Sequence, residues 1–146
     1  MELNISPASI GMRPKVELPN SGFLEHLKEE GIRKLVSDHY DLLSKSEIKH
    51  LFPPSKSVLE IAKLKSSDFF IQICGGHPYF NENQGKPMLS RRHSPFKITA
   101  KGREVWLNCY QQILPDLEIP EEYILSFWNY LNIFSMWMIN NPEDGY

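Results

Sequence analysis

Cysteine is scarce in this sequence, and the two cysteines present, Cys74 and Cys109, each lie inside an apolar segment. We interpret them as buried, reduced thiols of a cytoplasmic protein, with a disulfide between them as the open alternative. The N-terminus lacks the basic stretch followed by an apolar one that forms a secretory leader. These absences favour a chain that folds without disulfides in a reducing compartment.

Long runs of one charge are also lacking. Sixteen basic and eighteen acidic residues are spread over 146 positions and leave a net charge of −2. Because nucleic-acid-binding proteins concentrate lysine and arginine on one face, this balance gives no sign of such a partner. The length predicts one domain that can bury a sizeable core.

One long apolar run needs to be compared with a membrane span. Residues 123–139 read YILSFWNYLNIFSMWMI. The run is a little short for a span of about 20 residues. It carries Asn129 and Asn132 near its middle, and Glu121 and Glu122 directly precede it. The segment therefore predicts a helix that is buried on most sides, and no membrane insertion.

No stretch alternates apolar and polar residues as a half-buried strand does, so the sequence predicts an all-α fold. Residues 1–21, which contain three prolines, predict an irregular N-terminal extension, and residues 22–146 a single helical domain. A capping box at Ser57 and Glu60 is expected to open one of the helices. A first helical piece is predicted to begin at Phe23 and to end before Gly31, and further helices are predicted at about 30–44 and 58–74, the latter ending at Gly75-Gly76. A short helical turn is predicted at 89–93. Two more helices are predicted, one capped by Thr99 and one that begins at Pro120.

The histidines do not form a metal-binding pattern of their own. None of the five has the close pair spacing that structural zinc prefers, and no strand carries a glycine-rich phosphate loop. A single imidazole, His93 in SRRHSPFKI, lies between two strongly apolar helices. A lone histidine in a helical sandwich is what haem iron uses, and Arg92 could pair with a propionate. An ordinary core beside a plain loop histidine remains the alternative on this pattern alone.

A larger set of motifs resembles the truncated haemoglobins, and among them the second group. The similarity covers about residues 32–138. The segments that carry it are LVSDHYDLL at 35–43, Leu-Phe-Pro at 51–53, FFIQICGGHPYFNENQGKPMLSRRHSPFKI at 69–98 and GREVWLNCY at 102–110. The resemblance implies a two-over-two helical sandwich around haem b.

The resemblance also implies a role for individual residues. His93 would be the proximal iron ligand and Arg92 the propionate partner. Tyr40 and Trp106 would be the distal hydrogen-bond donors to a bound gas. The further implied haem contacts are Phe52, Phe69, Leu89 and Phe96, and the further implied distal residues are Ala62 and Ser66.

The chain departs from the family pattern near the ligand path and the propionates. Ala62 stands at the gate position that carries histidine in many globins, and Ser66 stands where leucine or glutamine is usual. Phe80 and Lys86 replace a tyrosine and a histidine. His39 is expected to point away from the haem, because neighbouring helix residues do not share a face.

The implied function is reversible binding of O2, NO or CO. Two donors at the distal position predict slow oxygen release, which suits NO dioxygenase or peroxidase-like chemistry with an unknown reductase better than bulk oxygen delivery. The alternative is a haem-free helical interaction domain, which the presence of both His93 and Arg92 disfavours.

Overall fold

The fold, as a computed structural model that describes residues 1–142, has helices as its regular secondary structure. No strand occurs in that range, which confirms the predicted all-α class. Residues 143–146, the end of the predicted 22–146 domain, lie outside the described residues. The α-helices are α1 (Gly22–Leu43), α2 (Lys56–Ile73), α3 (Tyr79–Gln84), α4 (Leu89–His93), α5 (Ala100–Ile113) and α6 (Glu121–Phe134). Single 3-10 turns occupy Lys49–Leu51, Leu114–Asp116 and Ser135–Met138.

Helix α1 is kinked, but three residues before the predicted break. Lys28 has φ 65° and ψ 171°, which is outside the helical region, whereas Gly31 continues the helix. A Cβ at position 31 would lie 3.0 Å from Cβ of Leu27. Gly31 therefore permits a close approach of Leu27, and the break predicted at Gly31 is wrong.

The prediction for α2 was right at its end and wrong at its beginning. The helix starts at Lys56 with Ser55 as its N-cap, and no side chain caps it, so Ser57 and Glu60 form no capping box. The Ser57 hydroxyl instead lies 3.0 Å from the Ser55 hydroxyl. After Ile73 the chain leaves the helix, and Gly75 has φ 93°, a conformation that glycine adopts readily.

The segment that follows α2 contains one helix more than expected. The turn of α4 was predicted, but α3 was not, because Pro78 before it and Gly85 after it indicated a loop. The cap of α5 is as predicted, since the Thr99 hydroxyl accepts a hydrogen bond of 3.0 Å from the Gly102 N–H.

Four long helices enclose the core in two layers. Helices α1 and α2 pack on each other and against α5 and α6, which is the two-over-two sandwich that the resemblance implies. Phe23 of α1 stacks on Phe127 of α6 with ring centroids 4.2 Å apart, and Phe70 of α2 meets the edge of the same ring at 5.5 Å. Over the described range, no helix is long and apolar enough to cross a membrane.

The residues before α1 are hydrogen-bonded to α5 and α6. Arg103 of α5 is 3% exposed and donates hydrogen bonds to the Ser6 carbonyl, the Asn132 carbonyl and the Ser135 hydroxyl. The Trp128 indole N–H donates to the Asn4 carbonyl at 3.0 Å. The N-terminal segment thus completes the hydrogen bonding of a buried guanidinium.

Gly76→Ala is expected to destabilise the protein by about 1–3 kcal/mol, the usual cost of overpacking. A Cβ there would lie 2.8 Å from the Ile71 carbonyl oxygen and 2.8 Å from Cδ2 of Leu24. The matched control is Gly102→Ala, whose Cβ would have its closest contact at 3.4 Å within a helix. Urea unfolding of both variants provides the measurement, and equal midpoints would contradict the expectation.

Candidate functional site

A cavity of about 380 Å³ lies between the two helical layers. Its lining brings together residues from all six α-helices and from the turns between them. All ten residues singled out in the sequence lie on this lining: Tyr40, Phe52, Ala62, Ser66, Phe69, Leu89, Arg92, His93, Phe96 and Trp106.

His93, at the end of α4, is oriented by its own helix. Its Nδ1 lies 2.7 Å from the Leu89 carbonyl oxygen. A carbonyl only accepts, so Nδ1 carries the proton and Nε2 keeps its lone pair. The Asn140 side-chain amide donates to the His93 carbonyl at 3.3 Å. This arrangement leaves Nε2 as a metal ligand, and a backbone partner on the other ring nitrogen is typical of such ligands.

Arg92 is fixed by the backbone next to it. Its Nε donates to the Pro87 carbonyl at 2.5 Å, and its Nη2 donates to the carbonyls of Gln84 and Lys86, both at 2.8 Å. The guanidinium carbon lies 5.1 Å from the ring centre of Phe80. Only Nη1 has no acceptor in residues 1–142. Arg92 is therefore held rigidly with one nitrogen left for an anionic group.

Tyr40 supplies a protonated hydroxyl to the cavity. Burial raises the pKa of Tyr40, and the Ser66 hydroxyl, as a hydrogen-bond partner, offsets this in part. The Tyr40 ring meets Phe52 edge-on, with centroids 5.6 Å apart and planes at 88°. Tyr40 is consequently a neutral donor whose ring position is set by an aromatic neighbour.

Trp106 differs from the other two tryptophans in the use of its indole N–H. The N–H of Trp128 donates to the Asn4 carbonyl and that of Trp137 to the Pro14 carbonyl. Trp106 lines the cavity, and its N–H has no protein acceptor among the described residues. Half-buried indoles normally find a partner, so this donor is available to a ligand in the cavity.

The remaining predicted residues form the walls. Ala62, Ser66 and Phe69 are one turn apart in succession on α2 and face the cavity together. Ala62 contributes only a methyl group to the lining, and α2 has no histidine whose imidazole could lie there. Leu89 packs against the main core, whereas Phe96 is 46% exposed although it lines the cavity.

Among the lining residues outside the predicted ten, His39 and Tyr110 form a stacked pair. His39 was expected to point away, but it lies on the cavity lining, is 1% exposed and stacks on Tyr110 at 3.5 Å between ring centres. Its Nε2 donates to the Trp106 carbonyl at 3.0 Å. The cavity wraps around the end of α1, so both His39 and Tyr40 reach it. Tyr110 follows Trp106 by four positions, which is the signal that could have identified it.

Burial lowers the pKa of His39 to about 3. An unfolded histidine has a pKa near 6.5, so between these values the unfolded state binds a proton that the folded state does not. The contribution of His39 to the free energy of unfolding is therefore fully present above about pH 6.5 and is lost as the pH falls below that value. Between pH 6.5 and pH 5 the loss from His39 is expected to be about 2 kcal/mol.

His39→Gln should remove this part of the pH dependence. Urea unfolding of the parent protein and the variant at pH 7.5 and pH 5.0 measures the effect. The parent should lose about 2 kcal/mol more than His39→Gln over that interval. Identical losses in the two proteins would refute the assignment of a neutral His39.

The lining has the chemistry that a haem requires. It is mostly apolar and aromatic, and it offers one imidazole with an available Nε2. Its charged side chains are the cations Lys65, Arg92 and Arg103, and no carboxylate lines it in the described part of the chain. No group of three or more His, Cys, Asp or Glu side chains assembles within residues 1–142. A flat apolar group with one axial ligand and two carboxylates therefore fits better than an ion held by protein ligands alone.

Comparison with known proteins gives a consistent result. A family model described as "Bacterial-like globin" matches residues 27–140. The "Group 2 truncated hemoglobin YjbI" of Bacillus subtilis (strain 168) is 31% identical over 120 residues, which cover 82% of this chain and 89% of that protein.

Two solved structures are similar over most of the chain. The crystal structure of phosphate-bound Hell's gate globin IV is 37% identical, has a TM-score of 0.85, and is matched over 94% of this chain and 87% of its own. The group II truncated haemoglobin from Bacillus anthracis is 30% identical with a TM-score of 0.75, over 92% of this chain and 98% of its own.

Proposed function

The chain belongs to the bacterial-like globin family, within it to the group II truncated haemoglobins, and from this premise we propose that it binds oxygen tightly on a haem held by His93. Membership itself gives the haem cofactor and an oxygen-related function. The alternative of a haem-free interaction domain is not favoured. The roles of individual residues and the strength of oxygen binding are what we propose here.

The residues proposed to hold the haem are those on the cavity lining that have a ring nitrogen, a cation or an apolar surface available to a ligand. When bound, haem would supply an iron that can bind a diatomic gas. Nε2 of His93 is proposed to bind the iron, because the Leu89 carbonyl already fixes the other ring nitrogen. Nη1 of Arg92 and the ammonium of Lys65 are proposed to receive the propionates. Phe52, Phe69, Leu89 and Phe96 would pack on the ring.

The observation that carries the proposal is a pair of neutral hydrogen-bond donors, Tyr40 and Trp106, on the cavity lining. The Trp106 indole N–H lacks a protein acceptor in the described range, and burial keeps the Tyr40 hydroxyl protonated. Two donors in a dry cavity stabilise a gas that becomes partly anionic, and they do so without reorganisation. Oxygen release should therefore be slow. Ala62 and Ser66 would shape the path by which O2, NO or CO enters.

Slow release favours redox chemistry over bulk oxygen delivery. We propose NO dioxygenation or peroxidase-like turnover as the reaction. The formation of nitrate from NO and O2 consumes one electron, so an electron donor is required. The two free cysteines, both buried, support the cytoplasm as the proposed location.

The purified protein tests this proposal in three steps. It should have a Soret band or acquire one on titration with hemin, and it should bind O2 reversibly when reduced. The oxygenated protein should then consume NO faster than free haem does. A colourless protein that takes up no hemin would refute haem binding by this chain, and rapid oxygen release with no NO consumption would refute the proposed chemistry.

A further inference from the structure

The charge of the chain is distributed unevenly around the cavity. Residues 83–103 contain six cations and no carboxylate, although the whole chain has a net charge of −2. This segment therefore carries +6 and the rest of the chain −8. The six are Lys86, Arg91, Arg92, Lys97, Lys101 and Arg103.

Four of these cations are exposed, and we name them together the basic rim: Lys86, Arg91, Lys97 and Lys101. Within residues 1–142 none of the four takes part in an ion pair, whereas Lys34 and Lys63 elsewhere each have a carboxylate partner. Arg92 and Arg103 differ from the rim, since backbone carbonyls and polar side chains already surround them. The rim charges are thus available to a partner.

The rim lies beside the edge of the haem cavity. Arg91 belongs to α4, the helix of His93, and Lys97 directly follows Phe96, which lines the cavity while it is 46% exposed. Met88, also in this segment, is 50% exposed. Lys97 and Lys101 line a second cavity of about 310 Å³ with His50, and Glu47 is the one carboxylate there. Two exposed apolar side chains, Met88 and Phe96, therefore lie in the same chain segment as the rim cations.

We propose that the basic rim docks an acidic one-electron carrier protein, with an iron–sulfur or flavin centre, at the edge of the haem cavity. In the docked complex the reduced centre of the carrier loses one electron, and the ferric iron of the haem gains it and becomes ferrous. This inference rests on the proposed redox function, which needs such a donor. It names the kind of partner that the surface fits.

The physical basis is electrostatic steering combined with a small contact area. Opposite surface charges raise association rates by about 10–1000-fold, and salt reduces the gain. Weak electron-transfer complexes bury less than about 1,200 Å² in total, so a few exposed apolar side chains inside a charged ring suffice. The propionates would neutralise part of the charge of Arg92, but the rim side chains point to solvent and retain theirs.

The test uses the haem-loaded full chain and an acidic [2Fe–2S] ferredoxin as the probe. Arg91→Glu/Lys97→Glu reverses two rim charges, and Lys15→Glu/Lys28→Glu reverses two exposed charges outside residues 83–103 as the matched control, since neither lysine has an ion-pair partner within residues 1–142. Binding of oxidised ferredoxin is measured by titration at 20 mM and 300 mM salt, without electron transfer. Stopped-flow then measures the rate at which reduced ferredoxin reduces the ferric protein.

The rim variant should lose roughly tenfold or more in both affinity and reduction rate at low salt, and the control variant less than threefold. At 300 mM salt the affinity of the parent protein for ferredoxin should fall towards that of the rim variant. A rim variant that behaves as the parent does would overturn the proposal, as would tighter binding of a duplex RNA than of ferredoxin at equal salt. The Soret band and oxygen binding of each variant report on the proposed function separately.

Discussion

His93→Ala should abolish stable haem retention. The proposed iron bond is the single covalent attachment of the cofactor, and the Leu89 carbonyl, 2.7 Å from Nδ1, holds the imidazole in one orientation. Without this ligand only packing against the apolar walls and the propionate contacts remain. The purified variant should lack the Soret band of the parent, and in a hemin titration its affinity should fall by at least a hundredfold, since a metal–ligand bond and its orientation are both lost.

Added imidazole should restore part of the haem spectrum of His93→Ala, because the truncated side chain leaves room for a small ligand at the same position. His77→Ala is the control, since His77 is exposed and its side chain bonds to Glu82. The control should keep the parental Soret band. Retention of haem by His93→Ala with an unchanged spectrum would mean that another residue binds the iron.

Tyr40→Phe and Trp106→Phe should each accelerate oxygen dissociation by roughly tenfold or more. A hydrogen bond to a charged group contributes about 1.5–3 kcal/mol, and each substitution removes one donor while it keeps an aromatic ring. Stopped-flow displacement of O2 by CO gives the rates. The double variant should be faster than either single one, although less than the product of the two effects, because both donors approach the same ligand.

Trp137→Phe is the control for these variants. Its indole N–H donates to the Pro14 carbonyl at 2.8 Å, and Trp137 does not line the cavity. Oxygen dissociation from this variant should match that of the parent. If Tyr40→Phe and Trp106→Phe also matched the parent, the slow release proposed from the two donors would be wrong.

The helix ends of this fold were predictable where a local signal sets them. Gly75 adopts the positive φ expected at a helix stop, and Thr99 caps α5 as its hydroxyl predicted. The kink of α1 was placed wrongly, because Lys28, a good helix former, takes the strained conformation, and Gly31 does not. Tertiary packing decides which residue breaks a helix, and the position of such a break cannot be predicted from the periodicity of apolar residues.

The residues named from the resemblance line one cavity, their roles stay predictions, and several contacts among the lining residues had no sequence signal. The register of motifs from Tyr40 to Trp106 identified ten residues that share one cavity. The stacking of His39 on Tyr110 was missed, since the two residues belong to α1 and α5, which are far apart in the sequence. The three backbone carbonyls around Arg92 also have no sequence signal, because any residue can supply them.

The attachment of the first residues to the last helix sets the order in which the chain can finish folding. The bonds from Asn4 and Ser6 reach Trp128 and Asn132, which are 124 and 126 positions further along. During synthesis Asn4 and Ser6 leave the ribosome well before Trp128 and Asn132 do. The guanidinium of Arg103 therefore gains its acceptors on Asn132 and Ser135 only after α6 has been made, and nascent chains that lack α6 should be protease-sensitive in the segment before α1.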